Sequence, residues 1–405
     1  MKLLFLSPGY PSENPDFAYG AAEMGIQVYG VGDQPQAMLP DKARKALTAY
    51  LQVRSLWDED AVLAEVRKWV GRQQFDRVEC VWEPGMVLAA RIREMLGTPG
   101  MNVARTLPFR NKEMMKQVLD SAGLRTPRHR LAKTITQCWE FAEDIGFPII
   151  LKPIAGAGSA DTYRVNNADE LRSVLPRLRH VPQVSVEEFV DGDEFTFDTV
   201  TINGQIAYYN VAWYRPRPLI ARSNEWVSPQ VIALRHVDQP DLREGVRLGF
   251  NVIKALQFES GFTHMEWYRK ADGEVVFGEI GARPPGARQV DQMNFACDID
   301  VFRGWAEAVC FKRFSQNIQR KFNVATVYKR AHGQGTIHKM TGYASLKHRY
   351  GSTFVWENLL PIGSRRRDWK QTLVSDGFIM LRHPELNKTC AIADAIGEKL
   401  NLYAG

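Results

Sequence analysis

Glu266 and Glu279 are the two residues whose types and spacing in this sequence most directly predict chemistry. Asp272-Gly273 separates the extended runs 264–270 and 274–280, and an Asp-Gly pair between β-rich runs is typical of a two-residue hairpin turn. Counting back from that turn along both strands places Glu266 opposite Glu279, on one face of the ribbon. Carboxylates paired in this way have Cβ atoms about 4.5–5.5 Å apart and repel each other unless a positive charge lies between them.

A divalent cation is the simplest positive charge for that position. Carboxylate oxygens from two strands suit Mg²⁺, which usually keeps several waters and takes further oxygens from nucleotide phosphates. Arg283 follows on a Gly/Pro-rich turn, where its planar guanidinium would donate to the same place. An ordinary solvated hairpin with two surface glutamates is the alternative that the ribbon alone leaves open.

Two lysines lie where a helix or a strand would direct them toward an anion. Lys112 begins a predicted helix, and Lys152 closes a short apolar strand, from which its ammonium must reach solvent or an anion. The loop behind that strand carries Gly156, Gly158 and Ser159, whose backbone N–H groups could lie over phosphates. A plain connection is the alternative for so short a Gly/Ala/Ser loop.

Further carboxylates occur in segment 183–210, which is predicted to be a meander of three strands. Glu187 and Glu188 lie on the first strand, and Glu194 opens the second. Taken singly, these glutamates do not identify a ligand.

A long Pro-rich, aromatic and basic loop is predicted over residues 213–229. Long loops inside compact domains tend to be functional, and arginines among aromatic side chains suit the carboxylate of an organic substrate. A surface flap with solvated arginines is the open alternative. The candidate arginines for such a carboxylate are Arg215, Arg217, Arg222 and, beyond the hairpin, Arg288.

His264 shares a strand face with Glu266 and could steer an amine or a phosphate, with a structural hydrogen bond as the alternative. Glu83 follows a predicted strand at the start of a helix. It could contact a substrate there or complement the helix dipole.

These side chains depend on a predicted framework of α/β and α+β domains. Residues 1–105 alternate strands and helices as parallel β/α units do, and such units place functional groups at the carboxyl ends of strands. Gly30-Val31-Gly32 ends a strand without opening a helix, so this region lacks the dinucleotide-binding fingerprint. The 405 residues exceed the roughly 250–300 at which single cores stop growing. We therefore predict an N-terminal domain over 1–105, a central domain over 106–312 and a small C-terminal α+β subdomain over 313–405.

The composition predicts a soluble, cytoplasmic protein that binds neither nucleic acid nor a membrane. Hydrophobic residues make up 45% of the chain, and no apolar run approaches the 18 or so residues that span a bilayer. The five cysteines have no CxxC spacing, which favours idle thiols in a reducing compartment. The net charge of +6 is spread along the chain, and anionic small molecules explain it as well as nucleic acid does.

The order of these features resembles the ATP-grasp superfamily over roughly residues 106–310. A lysine at a helix start, a lysine before a Gly loop, a paired-glutamate strand, a further glutamate, and two hairpin glutamates followed by arginine occur in the family's order. The N-terminal region resembles the β/α domain that usually precedes this fold. The resemblance implies ATP and Mg²⁺ as cofactors. It implies that the phosphates are held by Lys112, Lys152 and the loop 156–159, adenine by Glu187 and the backbone of Glu188 and Val190, and the ribose by Glu194. It also implies that Glu266 and Glu279 bind Mg²⁺ and that Arg283 contacts the transferred phosphoryl group.

Within the superfamily, GFTHMEW and GEIGARPPGA look most like the carboxylate–amine ligases that join small metabolites such as amino acids. The resemblance implies that a small carboxylate is activated as an acyl phosphate and then attacked by an amine, with Lys152 and Arg283 as catalytic residues. The sequence departs from the family pattern at Gly281, where many members place a metal-binding asparagine. One of two Mg²⁺ ions would then be held more loosely, or by water.

Two other functions stay open at this point. A carboxylase-type enzyme of the same superfamily would activate bicarbonate or formate, for which the aromatic and basic loop is large. A catalytically silent ATP-binding regulator could dispense with the glutamate pair. A homodimer is the default assembly, because dimers are the commonest oligomers.

Overall fold

The N-terminal strands form where the chain is apolar on both faces. Residues 3–6 are fully buried, as expected for a parallel sheet that helices cover on both sides. The structure, a computed structural model, describes residues 1–154 and 161–405, so Gly156, Gly158 and Ser159 lie outside the described residues. The strands of this sheet, in spatial order β3-β2-β1-β4, are β1 (Lys2–Leu6), β2 (Gln27–Gly32), β3 (Leu47–Gln52) and β4 (Arg77–Glu79). Its helices are α1 (Asn14–Glu23), α2 (Asp41–Ala46), α3 (Glu59–Val70) and α4 (Met86–Leu96).

The predicted parallel β/α alternation is therefore confirmed. Sequence reasoning missed α2 and β3, which lie in the charged segment 41–52. Strand β3 has few fully buried positions because it is the edge of the sheet, which is why no apolar run marks it. Two helices lead out of this region, α5 (Val103–Thr106) and α6 (Lys112–Ser121).

A second sheet is antiparallel, with spatial order β5-β8-β6-β7. Its strands are β5 (His129–Ala132), β6 (Ile149–Pro153), β7 (Tyr163–Val165) and β8 (Val184–Glu188), and its helices are α7 (Ile135–Ile145) and α8 (Ala168–Val174). Lys152 lies opposite Ser185 across β6 and β8, so Glu187, two residues further along β8, shares its face of the sheet.

The largest sheet extends from the hairpin to the C-terminal part of the chain, in the order β14-β13-β9-β11-β12-β15-β19-β18, with β10 paired to β9. The strands from β9 onward are β9 (Asp193–Ile202), β10 (Gln205–Asn210), β11 (Ala212–Arg215), β12 (Gln230–Ala233), β13 (Gly261–Arg269), β14 (Val275–Gly281), β15 (Asn323–Tyr328), β16 (His332–Gly333), β17 (Ile337–Thr341), β18 (Phe354–Leu359), β19 (Gly377–His383) and β20 (Asn401–Ala404). Strands β16, β20 and β17 form a small separate sheet.

The remaining helices are α9 (Pro218–Ser223), α10 (Pro240–Ala255), α11 (Gln289–Cys297), α12 (Val301–Ala306), α13 (Tyr343–Tyr350) and α14 (Leu386–Lys399), and a π-helical segment, Glu307–Phe311, follows α12. Of these helices, α10, α11 and α14 pack on the large sheet. None of the helices in the described ranges is long and apolar enough to cross a membrane.

Two sequence predictions about this region are wrong. Strand β8 does not form a meander with β9 and β10, because it pairs with β5 and β6 in the second sheet. The segment 213–229 is not one long loop, since β11 and α9 occupy most of it. Short strands flanked by proline carry too little periodicity for sequence reasoning to find them.

The hairpin β13–β14 places Glu266 opposite Glu279, as predicted, but by a different route. The loop has three residues rather than two, since Lys270 N donates to Glu274 O at 2.9 Å and Gly273 adopts φ +88°. This shifts the register by one residue, and a β-bulge at Gly278 shifts it back. A Cβ at Gly278 would lie 2.8 Å from the carbonyl oxygen of Glu266, so the bulge requires glycine.

Residues 313–405 contribute β15, β18 and β19 to the same sheet as β9 and β13. The predicted boundary at residue 312 thus does not coincide with an edge of the large sheet. The C-terminal segment supports the sheet that carries the glutamate pair, while β16, β17 and β20 form its own small sheet.

The buried Lys329 links the large sheet to α14 and makes one stability prediction. Its Nζ donates to Ser228 Oγ at 2.7 Å and to Gly397 O at 2.6 Å. Burial lowers the pKa of Lys329 from 10.5 to about 8. Between these two pH values the unfolded chain binds the additional proton, so this residue makes the free energy of unfolding rise with pH.

We expect Lys329→Met to remove that contribution. The measurement is urea unfolding of wild type and variant at several pH values from about 8 to about 10.5. Lys339→Met, at an exposed position on β17, is the matched control. A pH dependence in the Lys329→Met protein equal to that of the wild type would contradict the prediction.

Candidate active site

A cavity lies between the second sheet and the large sheet, and we call it the central cavity. Its lining comes from α6, β6, β8, β9, β13, β14 and the start of α9. Eight of the predicted site residues line it: Lys112, Lys152, Glu187, Val190, Glu194, Arg217, Glu266 and Glu279. These residues span more than 160 positions of sequence, so only the packing of the two sheets brings them together.

A buried chain of charges forms one wall of the cavity. Lys152 Nζ lies 3.0 Å from Glu187 Oε2, and the other oxygen of Glu187 accepts from Lys116 Nζ. Lys116 is 1% exposed and also lies 3.3 Å from Ser185 Oγ. Burial alone would raise the pKa of Glu187, but Lys116 and Lys152 hold that pKa well below its usual range. Glu187 is therefore an anion that fixes two ammonium groups.

Asn111 positions the lysines by capping α6. Its side chain accepts from the backbone N–H groups of Glu113 and Met114, both at 3.0 Å, which fixes the first turn of the helix. Lys112 and Lys116, one turn apart, then lie on one face of α6. Lys112 Nζ lies 3.5 Å from Glu279, while Lys116 reaches Glu187.

The paired glutamates form the opposite wall. The side chains of Glu266 and Glu279 are 22% and 29% exposed. Glu279 Oε2 lies 3.8 Å from Lys152 Nζ, and Glu266 Oε1 lies 3.3 Å from the Tyr214 hydroxyl. Burial would raise the pKa of Glu279, but Lys112, Lys152 and Arg283 outweigh it and lower that pKa to about 2. The protein's own lysines thus supply part of the positive charge that the sequence argument assigned to a metal ion.

The third carboxylate of the cavity is Glu194. Burial and the negative charge of Glu266 raise its pKa, although Arg217 Nε lies 3.1 Å from Glu194 Oε2 and opposes the shift. The same guanidinium donates to the carbonyl oxygen of Val190 at 2.8 Å. It lies over the rings of Phe189 and Tyr268, at 5.0 Å and 4.7 Å from their centroids. Two aromatic rings that accept a planar cation would also accept a planar purine.

The glutamate pair fits Mg²⁺ if a bound nucleotide supplies further oxygens. Glu266 and Glu279 are hard oxygen donors on adjacent strands, partly open to the cavity. Burial and repulsion from Glu266 raise the pKa of the nearby Glu194. This repulsion indicates negative carboxylate charge in the cavity, which a cation would neutralise. Within residues 1–154 and 161–405, no group of three or more His, Cys, Asp or Glu side chains could hold a metal ion. Mg²⁺ usually keeps several waters and takes further oxygens from nucleotide phosphates, which would complete the coordination.

Arg283 lies beside the central cavity and is tied to the N-terminal domain. Its Nε donates to Glu83 Oε2 at 3.0 Å, and Arg110 Nη1 donates to Glu83 Oε1 at 2.8 Å. Glu83 also begins a 3₁₀ turn before α4, so it holds Arg283 as well as starting a helix. A Cβ at Gly281 would have ordinary contacts with Arg283 and Glu83, so the residue that replaces the family's asparagine lies next to this pair.

His264 is held by a buried carboxylate. Its Nδ1 lies 2.6 Å from Asp198 Oδ1, and its Nε2 lies 3.6 Å from Glu266 Oε1. Burial lowers the pKa of His264, but Asp198 and Glu266 raise it to about 9. The hydrogen bond between His264 and Asp198 agrees with the structural alternative.

Several other residues predicted to bind a ligand pair with other groups of the protein and do not line the central cavity. Glu188 donates its N–H to Arg128 O, and its carboxylate pairs with Arg125 at 2.5 Å and Arg128 at 3.0 Å, so its N–H is not free for adenine. Arg215 pairs with Asp394 and Gln230, and Arg222 donates to the carbonyl oxygen of Lys370. The side chain of Arg288 pairs with Asp16, and its backbone N–H donates to the Glu13 carboxylate.

Sequence reasoning missed Lys116, Phe189, Tyr214 and Tyr268. Lys116 could have been found from its position four residues after Lys112 on a predicted helix. Phe189 lies between two residues assigned to adenine. No sequence pattern pointed to Tyr214, because only the pairing of β11 with β9 brings it toward Glu266.

Two family models match the sequence. The ATP-grasp N-terminal domain matches residues 19–100, and the ATP-binding domain of the carbamoyl-phosphate synthase L chain matches residues 111–193. An L-arginine-specific L-amino acid ligase of Bacillus subtilis is 24% identical over 219 residues, which are 52% of each chain. A D-alanine–D-alanine ligase of Pseudomonas putida is 33% identical over 116 residues, 28% of this chain and 36% of that enzyme. The chain thus spans about half the length of these curated relatives, or less.

A solved structure resembles the whole fold. The L-amino acid ligase of Bacillus licheniformis superposes with a TM-score of 0.81 over 100% of this chain and 98% of that one, at 20% identity. At this identity the similarity establishes the fold. The predicted fold class, a parallel N-terminal β/α domain followed by an ATP-grasp fold, is confirmed.

Proposed function

Since this chain is an ATP-grasp protein that resembles amino-acid ligases, we propose that it is an ADP-forming carboxylate–amine ligase. One observation carries the proposal: Lys112 and Lys152 lie 3.5 Å and 3.8 Å from Glu279, and all three line one cavity together with Glu266. Ammonium groups that hold phosphates, opposite carboxylates that hold a divalent cation, are what phosphoryl transfer needs. Such transfer depends on positioning and charge neutralisation rather than on a protein nucleophile.

In the first step, a carboxylate oxygen of the substrate bonds to the γ-phosphorus of ATP, and the bond from that phosphorus to the bridging oxygen of ADP breaks. Lys112 and Lys152 would hold the phosphates, and Arg283, held by Glu83, would orient the transferred group. Mg²⁺ bound by Glu266 and Glu279 would neutralise phosphate charge.

In the second step, the nitrogen of an amine bonds to the acyl carbon, and the bond from that carbon to the phosphate oxygen breaks. The nitrogen loses a proton to solvent, and the products are an amide, ADP and phosphate. The acyl phosphate must be kept from water until the amine arrives. The position of the lining residues between two sheets supports that requirement.

The nucleotide would lie against β8 and β9. Phe189 and Tyr268 would stack on adenine once Arg217 leaves the space between them. The carbonyl oxygen of Val190 would then accept from adenine, and Glu194 would bind the ribose. The small-molecule carboxylate and amine are the proposed partners of the protein, in the cytoplasm.

The test is ADP formation from MgATP with amino acids supplied singly and in pairs. We expect ADP release above the basal rate only with a suitable carboxylate and amine, a product with the summed mass less one water, and complete loss of activity with EDTA until Mg²⁺ is restored. ATP binding without stimulated ADP formation would contradict the proposal and leave a regulator. Stimulation by bicarbonate or formate alone would favour the carboxylase-type alternative.

A further inference from the structure

Three aromatic side chains meet at the carboxyl edge of the N-terminal sheet. Tyr10 follows β1, Trp57 follows β3, and Trp82 follows β4. The Trp82 ring centroid lies 6.3 Å from that of Tyr10 and 5.5 Å from that of Trp57, with interplanar angles of 78° and 75°. We call these three residues the aromatic cluster. In open parallel sheets, ligands bind at the carboxyl ends of the strands.

Two of the three rings in the aromatic cluster are exposed, and Trp82 is partly buried. Trp57 is 70% exposed and Tyr10 is 56% exposed, whereas large apolar side chains that touch one another are usually covered. Edge-to-face rings present an apolar surface with defined geometry, which suits another ring or a branched aliphatic group. Nothing in the central cavity accounts for these residues, because none of them lines it.

The loop that carries Tyr10 is fixed before any ligand binds. Asn14 Nδ2 donates to the carbonyl oxygens of Ser7 and Tyr10, both at 2.8 Å, and Ser7 Oγ donates to Tyr10 O at 2.5 Å. Ser7 adopts φ +53°, a left-handed conformation that is unfavourable for serine. A constrained loop of this kind is typical of a binding site.

The aromatic cluster is continuous with the residues proposed for catalysis. Trp82 precedes Glu83, so their Cα atoms lie about 3.8 Å apart. Glu83 in turn holds Arg283 at 3.0 Å. A carboxylate that receives the phosphoryl group beside Arg283 would therefore lie near the backbone that carries Trp82. This continuity favours a small substrate over a macromolecule as the occupant.

We propose that Tyr10, Trp57 and Trp82 bind the aromatic side chain of the carboxylate substrate, whose carboxylate would lie beside the phosphoryl group that Arg283 orients. The proposal rests on the proposed ligase function and names its substrate class, an amino acid with an aromatic side chain. The rings supply apolar contact, and the paired charges of Glu83 and Arg283 supply the polar end of the site, which together form the usual composition of a ligand pocket.

The test compares L-phenylalanine with L-alanine, which differ by one phenyl group. Binding of each to the full-length protein is measured by isothermal titration calorimetry in the absence of ATP, so no turnover is needed. Because a buried ring removes a large apolar area from water, we expect at least about tenfold tighter binding of L-phenylalanine. Trp57→Ala and Trp82→Ala should each reduce that ratio severalfold.

Trp226→Ala is the matched control, because Trp226 is 59% exposed and stacks on His332, away from the aromatic cluster. It should keep the wild-type ratio. Circular dichroism and light scattering of each variant report folding and oligomeric state. Absence of L-phenylalanine binding, equal affinities for both amino acids, or a ratio unaffected by Trp57→Ala and Trp82→Ala would each overturn the proposal. A change of oligomeric state in Trp57→Ala would also overturn it and show that a second copy of the chain covers the aromatic cluster.

ADP formation separates this inference from the proposed function. Tight L-phenylalanine binding without ADP formation in any amine mixture would leave the aromatic pocket standing and remove the ligase. Efficient ADP formation with small aliphatic amino acids and no aromatic preference would leave the ligase standing and remove the pocket.

Discussion

Replacing Glu279 with alanine is expected to abolish ATP turnover while the protein stays folded. The substitution removes one of the two carboxylates proposed for Mg²⁺, and a loss on the order of 10²–10³-fold in kcat is the scale for removing a group that stabilises transferring charge. Folding should survive because Glu279 is 29% exposed and Lys152 keeps its ion pair with Glu187 at 3.0 Å. The measurements are ADP formation across a Mg²⁺ titration and thermal unfolding.

Glu274→Ala is the matched control for this prediction. Glu274 lies on the same hairpin but pairs with Arg125 at 2.8 Å and Lys270 at 2.5 Å, near the turn and outside the central cavity. We expect it to keep most of the wild-type kcat. If Glu279→Ala retains turnover comparable to that of Glu274→Ala, the metal assignment to the glutamate pair is wrong.

Replacing Glu187 with alanine is expected to lower the free energy of unfolding by about 3–5 kcal/mol. The cause is Lys116, which is 1% exposed and, among the residues that the structure describes, would keep only the Ser185 hydroxyl as a hydrogen-bond partner. An ammonium left buried without its carboxylate costs far more than the ion pair itself contributes. Urea unfolding at constant pH gives the difference directly.

The neighbouring Glu188 provides the control for that measurement. Its partners, Arg125 and Arg128, are 37% and 64% exposed, so Glu188→Ala should cost at most about 1 kcal/mol. The double variant Lys116→Met/Glu187→Leu should recover part of the stability that Glu187→Ala loses, since it removes the buried pair together. Equal destabilisation by Glu187→Ala and Glu188→Ala would show that the buried ion pair is not a stability determinant.

Local patterns in the sequence were sufficient to place most single elements. The helix that begins at Lys112, the strand that ends near Lys152 and the parallel N-terminal alternation all depend on hydrophobic periodicity and capping, which act within a few residues. The order of charged residues then led to the ATP-grasp resemblance, and the confirmed fold agrees with it.

The hairpin shows how a correct pairing can follow from an incomplete argument. A two-residue turn and a regular ladder place Glu266 opposite Glu279, and so do the three-residue loop and the bulge that the structure contains. Gly278 is the residue in the sequence that indicates the bulge, but a glycine inside a strand can have several structural reasons. Only the close approach of Glu266 O identifies this one.

The sequence by itself determined the types of the charged groups and the elements that carry them. The tertiary structure alone decided which of them meet: Glu187 joins Lys116 and Lys152, Arg217 lies over the rings of Phe189 and Tyr268, and Arg283 is held by Glu83 from the N-terminal region. The physical reason is the separation along the sequence over which each kind of interaction acts. Capping and periodicity act between residues a few positions apart, whereas these contacts join residues up to 200 positions apart and depend on how two sheets and a third domain pack.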